Sequence, residues 1–176
     1  DAKVQFFTDT ARRSPKGGKL FFLPEEDLSA RYFEAVIGDR GRIVRFSQEN
    51  FVEHELQGNS QTVSPWLRSN FNLANAALAV SIATAYGATW PSVVKALATF
   101  AGVPGRVEWV NPPDQPAVVI DYAHTPDSLA ALYSFLKPQT KKLICVFGSA
   151  GGGRDIWKRP KMGEVASKYC DQIILT

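Results

Sequence analysis

A carboxylate and an imidazole stand three residues apart in the segment Asp-Tyr-Ala-His-Thr-Pro-Asp, residues 121–127. The apolar run before it, 117–120, suits a buried strand, and a helical pattern follows over 128–136. Asp121 and His124 therefore fall where a strand hands over to a helix, the edge at which open α/β sheets bind ligands. There Asp121 can accept hydrogen bonds from ribose hydroxyls, and His124 can donate to a nucleotide. A general base at His124 is also chemically open, although no serine or cysteine nucleophile is placed beside it. The competing reading is a turn built on Asp, Thr and Pro. Against it, Asp127 can itself cap the helix, which leaves Asp121 and His124 without a structural task.

Three further groups carry suitable side chains. Asn72 and Asn75 are three residues apart in a helical, otherwise apolar segment, so both amides fall on one helix face and can read the edge of a base or hold a neighbouring loop. Asn72 is equally a candidate N-cap. Arg106 follows Gly105 in Pro-Gly-Arg-Val-Glu, 104–108, where its planar fork suits a phosphate; a surface pair with Glu108 is the alternative. The run 148–155, Gly-Ser-Ala-Gly-Gly-Gly-Arg-Asp, follows a strand pattern, and its N–H groups can converge on an anion. It has neither the Gly-Lys-Ser/Thr of a Walker A loop nor a spaced dinucleotide fingerprint. With Arg154, Lys158, Arg159 and Lys161 it suits a carboxylate or phosphate; a solvated helix end fits the same residues.

The elements that must hold these groups fall into two blocks. Residues 4–7, 31–46 and 51–56 read as strands, with 38–41 (Gly-Asp-Arg-Gly) as a hairpin turn and 14–18 as a loop. Residues 70–86 predict a long Ala-rich helix buried on most sides, with Gly87 just beyond, and a second helix runs from about 91 to 100. Gly-Val-Pro-Gly at 102–105 marks a domain boundary. Beyond it the chain alternates: strands at 106–110, 117–121, 143–147 and 172–175, helices at 126–136 and about 157–169. Such alternation predicts an α/β fold with a mostly parallel sheet and helices on both faces.

Composition narrows the function classes. Of 176 residues 45% are hydrophobic, enough to fill a core, and a net charge of +3 is too small to indicate nucleic acid. No apolar run approaches the length of a membrane span, and no secretory signal is visible. Cys145 reads as a small buried hydrophobe and Cys170 ends a helical pattern; their spacing suits no zinc site and implies no disulfide framework, which is compatible with a reducing cytosol. The four tryptophans read as packing residues. The chain opens on Asp1 and stops within the apolar run 173–175, which reads as a piece of a longer protein.

Taken together, 71–75 (Phe-Asn-Leu-Ala-Asn), 103–108 (Val-Pro-Gly-Arg-Val-Glu), 121–127, 147–155 and 158–163 (Lys-Arg-Pro-Lys-Met-Gly) resemble the Mur ligases of peptidoglycan synthesis, in the family's order and at suitable intervals. The likeness is strongest to the branch that adds the third residue of the stem peptide. It spans about 90 residues; 1–66 match only in general strand character. The asparagine pair is shared with folylpolyglutamate synthases and cyanophycin synthetases. The Gly loop departs from the family's usual, shorter Cys-Gly-Gly-Asp-Arg form.

The resemblance implies that 1–104 are the latter half of a central ATPase domain and 105–176 the first half of a Rossmann-like C-terminal ligase domain. It implies ATP with Mg2+, and ligation of diaminopimelate or lysine to UDP-N-acetylmuramoyl-L-alanyl-D-glutamate through an acyl phosphate. The enzyme would be a cytoplasmic monomer without nucleic-acid or membrane partners. Asn72 and Asn75 would lie near the adenine, Arg106 and Asp121 would contact ATP across the domain boundary, His124 would stand close to the nucleotide, and Arg154 would face the carboxylate of the incoming amino acid. No catalytic residue falls within 1–176: the P-loop, the metal ligands and the carbamylated lysine would precede Asp1, and the motif separating diaminopimelate from lysine would follow Thr176. On this reading the segment alone is inactive. A folylpolyglutamate-type ligase and a non-catalytic nucleotide-binding module remain the alternatives.

Overall fold

The computed structural model describes residues 2–13, 19–57, 63–110, 114–149, 153 and 155–176. The loop expected at 14–18 and Arg154 lie outside the described residues. The chain divides into two compact units, Asp1–Ala101 and Gly102–Thr176.

The first unit opens with helix α1 (Ala2–Arg12), not with a strand at 4–7. Val4, Phe7 and Ala11 recur at helical spacing; Ala11 is fully buried, and Phe7 packs on Phe21 and Phe33, with ring centroids 6.0 and 4.5 Å away. Strand β1 (Leu20–Pro24), helix α2 (Ala30–Ile37) and strand β2 (Arg42–Phe46) follow. The expected hairpin over 31–46 is thus replaced by a strand–helix–strand unit. The 38–40 segment is a 3-10 turn at the end of α2, and β2 pairs with β1 in parallel, Leu20 opposite Arg42 through Pro24 opposite Phe46. The apolar face of α2, Ala30, Phe33 and Ile37, has the 3–4-residue period of a helix and closes over Phe21 and Leu23.

Residues 51–56 are helical too. A single turn, α3 (Gln48–Asn50), is capped by Ser47, whose hydroxyl accepts the Asn50 N–H at 2.9 Å, and runs into a π-helical turn, Phe51–Glu55. Helix α4 (Asn70–Ala85) and helix α5 (Trp90–Thr99) match their expected extents closely. However, α4 is buried along one face, Leu73, Ala76, Ala77 and Val80, and not on most sides. These residues join Phe51, Leu56, Val63, Leu67, Val93 and Leu97 in the larger core. Each large side chain there contributes roughly 1.5–3 kcal/mol through burial. Trp66 is a packing residue, with its ring centroid 5.3 Å from that of Phe100.

The second unit holds strands β3 (Glu108–Val110) and β4 (Val118–Ile120), helix α6 (Pro126–Leu136), strand β5 (Ile144–Phe147), helix α7 (Lys158–Tyr169) and strand β6 (Gln172–Leu175). β5 and β6 pair in parallel around α7, as expected of the alternating pattern. β3 and β4 pair antiparallel, Glu108 opposite Ile120, so this part of the expected parallel sheet is corrected. Seven residues separate the two strands, which suffices for a hairpin and is too few for a parallel crossover. Among the described residues the strands form three two-stranded sheets. Leu129, Leu132, Tyr133 and Leu136 of α6 and Met162 and Ala166 of α7 are buried. Burial pushes the Tyr133 phenol up to about 12.

One covalent feature contradicts the sequence reading. Cys145 on β5 is buried, as expected, but forms a disulfide with Cys170 at the end of α7, with Cα atoms 6.0 Å apart. The parallel pairing of β5 and β6 brings the end of α7 back beside β5. That proximity is a product of the fold, and a spacing of 25 residues does not reveal it.

Candidate functional site

Arg106, Asp121 and His124 come together in the second unit, at the adjoining ends of β3 and β4. Asp121 directly follows β4, and both of its oxygens are engaged: Oδ2 accepts the Val107 N–H at 2.9 Å and Oδ1 the Ala123 N–H at 2.7 Å. The carboxylate therefore ties the segment entering β3 to the segment leaving β4. Bonds of this charge-assisted kind are about twice as strong as neutral ones. They also correct the inference that Asp121 lacks a structural task.

What Asp121 holds is unusual backbone. Val107 is buried at 1% exposure and has φ of +46°. A β-branched residue in the left-handed region costs of order 1–3 kcal/mol and persists only when its surroundings over-determine it. Here the Asp121 bond and side-chain burial do so. Two residues earlier Gly105 has φ of +68°, and a Cβ there would meet nothing within 4 Å, so backbone conformation alone favours glycine. The Gly105 N–H donates to Glu108 Oε2 at 2.7 Å, and Arg106 N–H to the Val103 carbonyl at 3.0 Å. The Glu108 carboxylate thus closes its own turn. The Arg106 guanidinium lies 4.7 Å from the centroid of the exposed Tyr122 ring.

His124 is fixed from two sides. Its Nδ1 is 3.0 Å from the Tyr122 carbonyl oxygen, and its ring centroid is 4.9 Å from that of Tyr122. A carbonyl only accepts, so Nδ1 carries the hydrogen in that contact. In the neutral ring Nε2 is an acceptor; His124 donates to an anion through it only when protonated. The next helix is capped by Thr125, not by Asp127: Thr125 Oγ1 accepts the Ser128 N–H at 3.2 Å, and Ser128 Oγ accepts the Thr125 N–H at 3.0 Å. Asp127 instead lies in the first turn, where its charge suits the positive end of α6.

The asparagine pair lies in the first unit and is divided. Asn72 is buried at 3% exposure, and its Nδ2 donates to the Trp66 carbonyl at 2.9 Å. Its candidate role as N-cap falls to Ser69, whose hydroxyl accepts the Asn72 N–H at 3.4 Å. Asn75 is exposed on the same helix. So the inner amide fixes α4 to the preceding 3-10 turn, and the outer one is open to a ligand. The same unit has a small polar hollow, lined in part by Glu25, Arg45, Asn50 and Glu55, that no sequence signal foretells. Burial there raises the Glu55 carboxyl above the usual range.

The glycine loop begins under steric constraint. A Cβ on Gly148 would stand 2.5 Å from Thr176 Oγ1 and 2.7 Å from its carbonyl oxygen. Glycine at 148 is therefore required by the passage of the β6 end beside it. Arg154, the expected carboxylate ligand, lies outside the described residues. Downstream, Lys161 Nζ lies 5.2 Å from the centroid of Trp157, a tryptophan 61% exposed and so not the packing residue expected. Among the described residues no group of three or more His, Cys, Asp or Glu is placed to hold a metal ion. No helix among them is long and apolar enough to cross a membrane.

A curated relative from Thermosynechococcus vestitus, named UDP-N-acetylmuramoyl-L-alanyl-D-glutamate--2,6-diaminopimelate ligase, is 44% identical over 126 residues, covering 70% of this chain and 25% of the relative. The chain thus spans about a quarter of the length of such relatives. Two solved structures share the fold. MurF from Acinetobacter baumannii superposes with a TM-score of 0.70 at 17% identity, over 96% of this chain and 40% of that one. Mycobacterium tuberculosis folylpolyglutamate synthase, complexed with ADP and AMPPCP, gives 0.68 at 17%, over 98% and 42%. Residues 105–176 match the family described as Mur ligase, glutamate ligase domain. The loop of Arg106, Asp121 and His124 lies inside that matched stretch, so residues 105–176 are the part of the chain that carries the likeness to the Mur ligase family.

Proposed function

We propose that the whole protein is an ATP-dependent ligase that joins diaminopimelate to UDP-N-acetylmuramoyl-L-alanyl-D-glutamate. The observation that carries this reading is the 44% identity over 70% of the chain to a relative bearing that name. The fold alone does not choose, because a folylpolyglutamate synthase superposes about as well as a Mur ligase. In the proposed reaction the γ-phosphoryl group of ATP passes to the substrate carboxylate. The amine of the incoming amino acid then attacks the acyl carbon, and inorganic phosphate leaves. The first unit is assigned to the latter part of an ATPase domain and the second to the start of the ligase domain.

The residues divide the work by their chemistry. The Arg106 guanidinium offers its in-plane N–H donors to a nucleotide phosphate. Asp121, with both oxygens already accepting backbone N–H groups, serves the nucleotide by fixing the loop and uses its remaining lone pairs for ribose hydroxyls. His124 is assigned to a polar contact with the nucleotide through Nε2. Asn75 is assigned to the adenine, and Asn72 supports it from within α4. Arg154 is assigned to the carboxylate of the incoming amino acid, and Mg2+ to residues outside this chain.

The test is a substrate matrix on the full-length protein: ATP with the UDP-linked dipeptide plus diaminopimelate or lysine, and ATP with a folate plus glutamate. Product from the dipeptide and diaminopimelate supports the proposal. Product from the folate pair alone, or ATP binding without turnover of any pair, refutes it in favour of the folylpolyglutamate or the non-catalytic reading.

A further inference from the structure

Tyr122 takes no part in the roles assigned above, yet it touches two of the residues that do. Its ring is 62% exposed and so is not a core side chain. The Arg106 guanidinium lies 4.7 Å from its centroid and the His124 ring 4.9 Å from it. Its carbonyl also accepts from His124 Nδ1, which sets the tautomer. Asp121 reinforces this grouping: its two oxygens bind the N–H groups of Val107 and Ala123, the residues immediately after Arg106 and Tyr122. One carboxylate therefore sets the spacing between the two backbones from which the stacked side chains project.

We infer that Tyr122 is a positioning residue that holds Arg106, and with it His124, in a single orientation ready for an anionic ligand. The physical reason is entropic as well as electrostatic. An exposed arginine samples many rotamers, and a ring face that attracts the guanidinium removes most of that freedom before the ligand arrives. The phenol oxygen has no part in this, so a phenylalanine keeps the function. The inference rests on the nucleotide reading of this loop.

The test is a double-mutant cycle on the full-length protein, with ADP affinity read by calorimetry and KM for ATP and kcat by turnover. Arg106→Ala should weaken ADP binding. Tyr122→Leu should weaken it roughly fivefold, as expected of a cation–π contact at an exposed site, and raise KM for ATP with a smaller effect on kcat. In the Arg106→Ala background Tyr122→Leu should change nothing further. Tyr122→Phe should behave as the parent, and Arg106→Lys, which keeps the charge and loses the planar face, should resemble Tyr122→Leu. Multiplying effects in the double variant would overturn the positioning role in favour of direct contact with the ligand. Parental behaviour of Tyr122→Leu beside a weakened Arg106→Ala would overturn it alone. Parental binding by Arg106→Ala would overturn both the nucleotide reading of the loop and the inference built on it.

Discussion

The asparagines of α4 and the loop at 121–127 were singled out on the same kind of sequence signal, and the structure treats them differently. In the loop every candidate is drawn into one cluster, with Asp121 binding two strand ends, Tyr122 lying against Arg106, and His124 fixed by a carbonyl. On α4 the pair splits into a buried amide that serves the fold and an exposed one that does not. Three residues along a helix turn the side chain by about 300°, leaving some 60° between the pair, enough to separate core from solvent. Spacing on a helix shows adjacency, and burial decides which of two neighbours is available.

The comparison can be broken first at the cores. Phe51, 2% exposed, sits in the core under α4. Phe51→Ala should cost about 3–5 kcal/mol, read as a lower urea midpoint and faster hydrogen exchange along α4. A loss below about 1 kcal/mol would mean that this core does not hold the asparagine helix in place. In the second unit the disulfide closes a 25-residue loop. Reduction should lower stability by about 3.5 kcal/mol on loop entropy; an unchanged midpoint in dithiothreitol, with free thiols verified by mass, would remove the crosslink from the account.

Asp121→Ala sharpens the contrast between a residue that binds and one that builds. It strands two N–H groups and should cost about 1–3 kcal/mol, in addition to any loss of nucleotide affinity. Asn75→Ala, by contrast, should leave stability within about 0.5 kcal/mol of the parent. If Asp121→Ala is neutral in stability, the loop is not held as described. The smallest effect concerns pH. The Lys137 ammonium at 2.7 Å and the Leu143 N–H hold the Asp171 carboxyl below its ordinary value of 3.8. Since the folded value is the lower one, the stabilisation is present above pH 3.8 and is lost as pH falls through the folded value. Asp171→Asn should therefore flatten stability against pH in the acid range: the variant is slightly less stable at neutral pH, where the ion pair is intact, and converges on the parent as pH falls below the folded value. An identical acid limb in the variant would contradict the assignment.

Much of the second unit is visible in the sequence because its signals agree with each other. Apolar runs of four or five residues are bounded by Gly, Pro or Asp, and Thr-Pro-Asp-Ser gives a helix start with a cap, a proline and an acid in the right order. The first unit is harder to read. Val4 to Phe7 is too short a run to separate a strand from one face of a helix. Gly38 and Gly41, three residues apart, resemble a hairpin turn although one ends α2 and the other lies under the Phe21 ring, where a Cβ would collide. At the site, Asp121 and Arg106 were legible by type and position. Tyr122 was not, because an exposed tyrosine has no signature until its neighbours in space are known. The cysteine pair was hidden for the same reason.

The crosslink between Cys145 and Cys170 has a practical consequence. It encloses residues 146–169, and so the entire glycine-rich stretch and α7, in a covalent ring. A protease that nicks the chain once between those positions releases nothing: the two pieces migrate together on a denaturing gel until a thiol is added. Limited digestion run with and without reductant would therefore map the cut sites of the stretch carrying Arg154 against an intact-mass background.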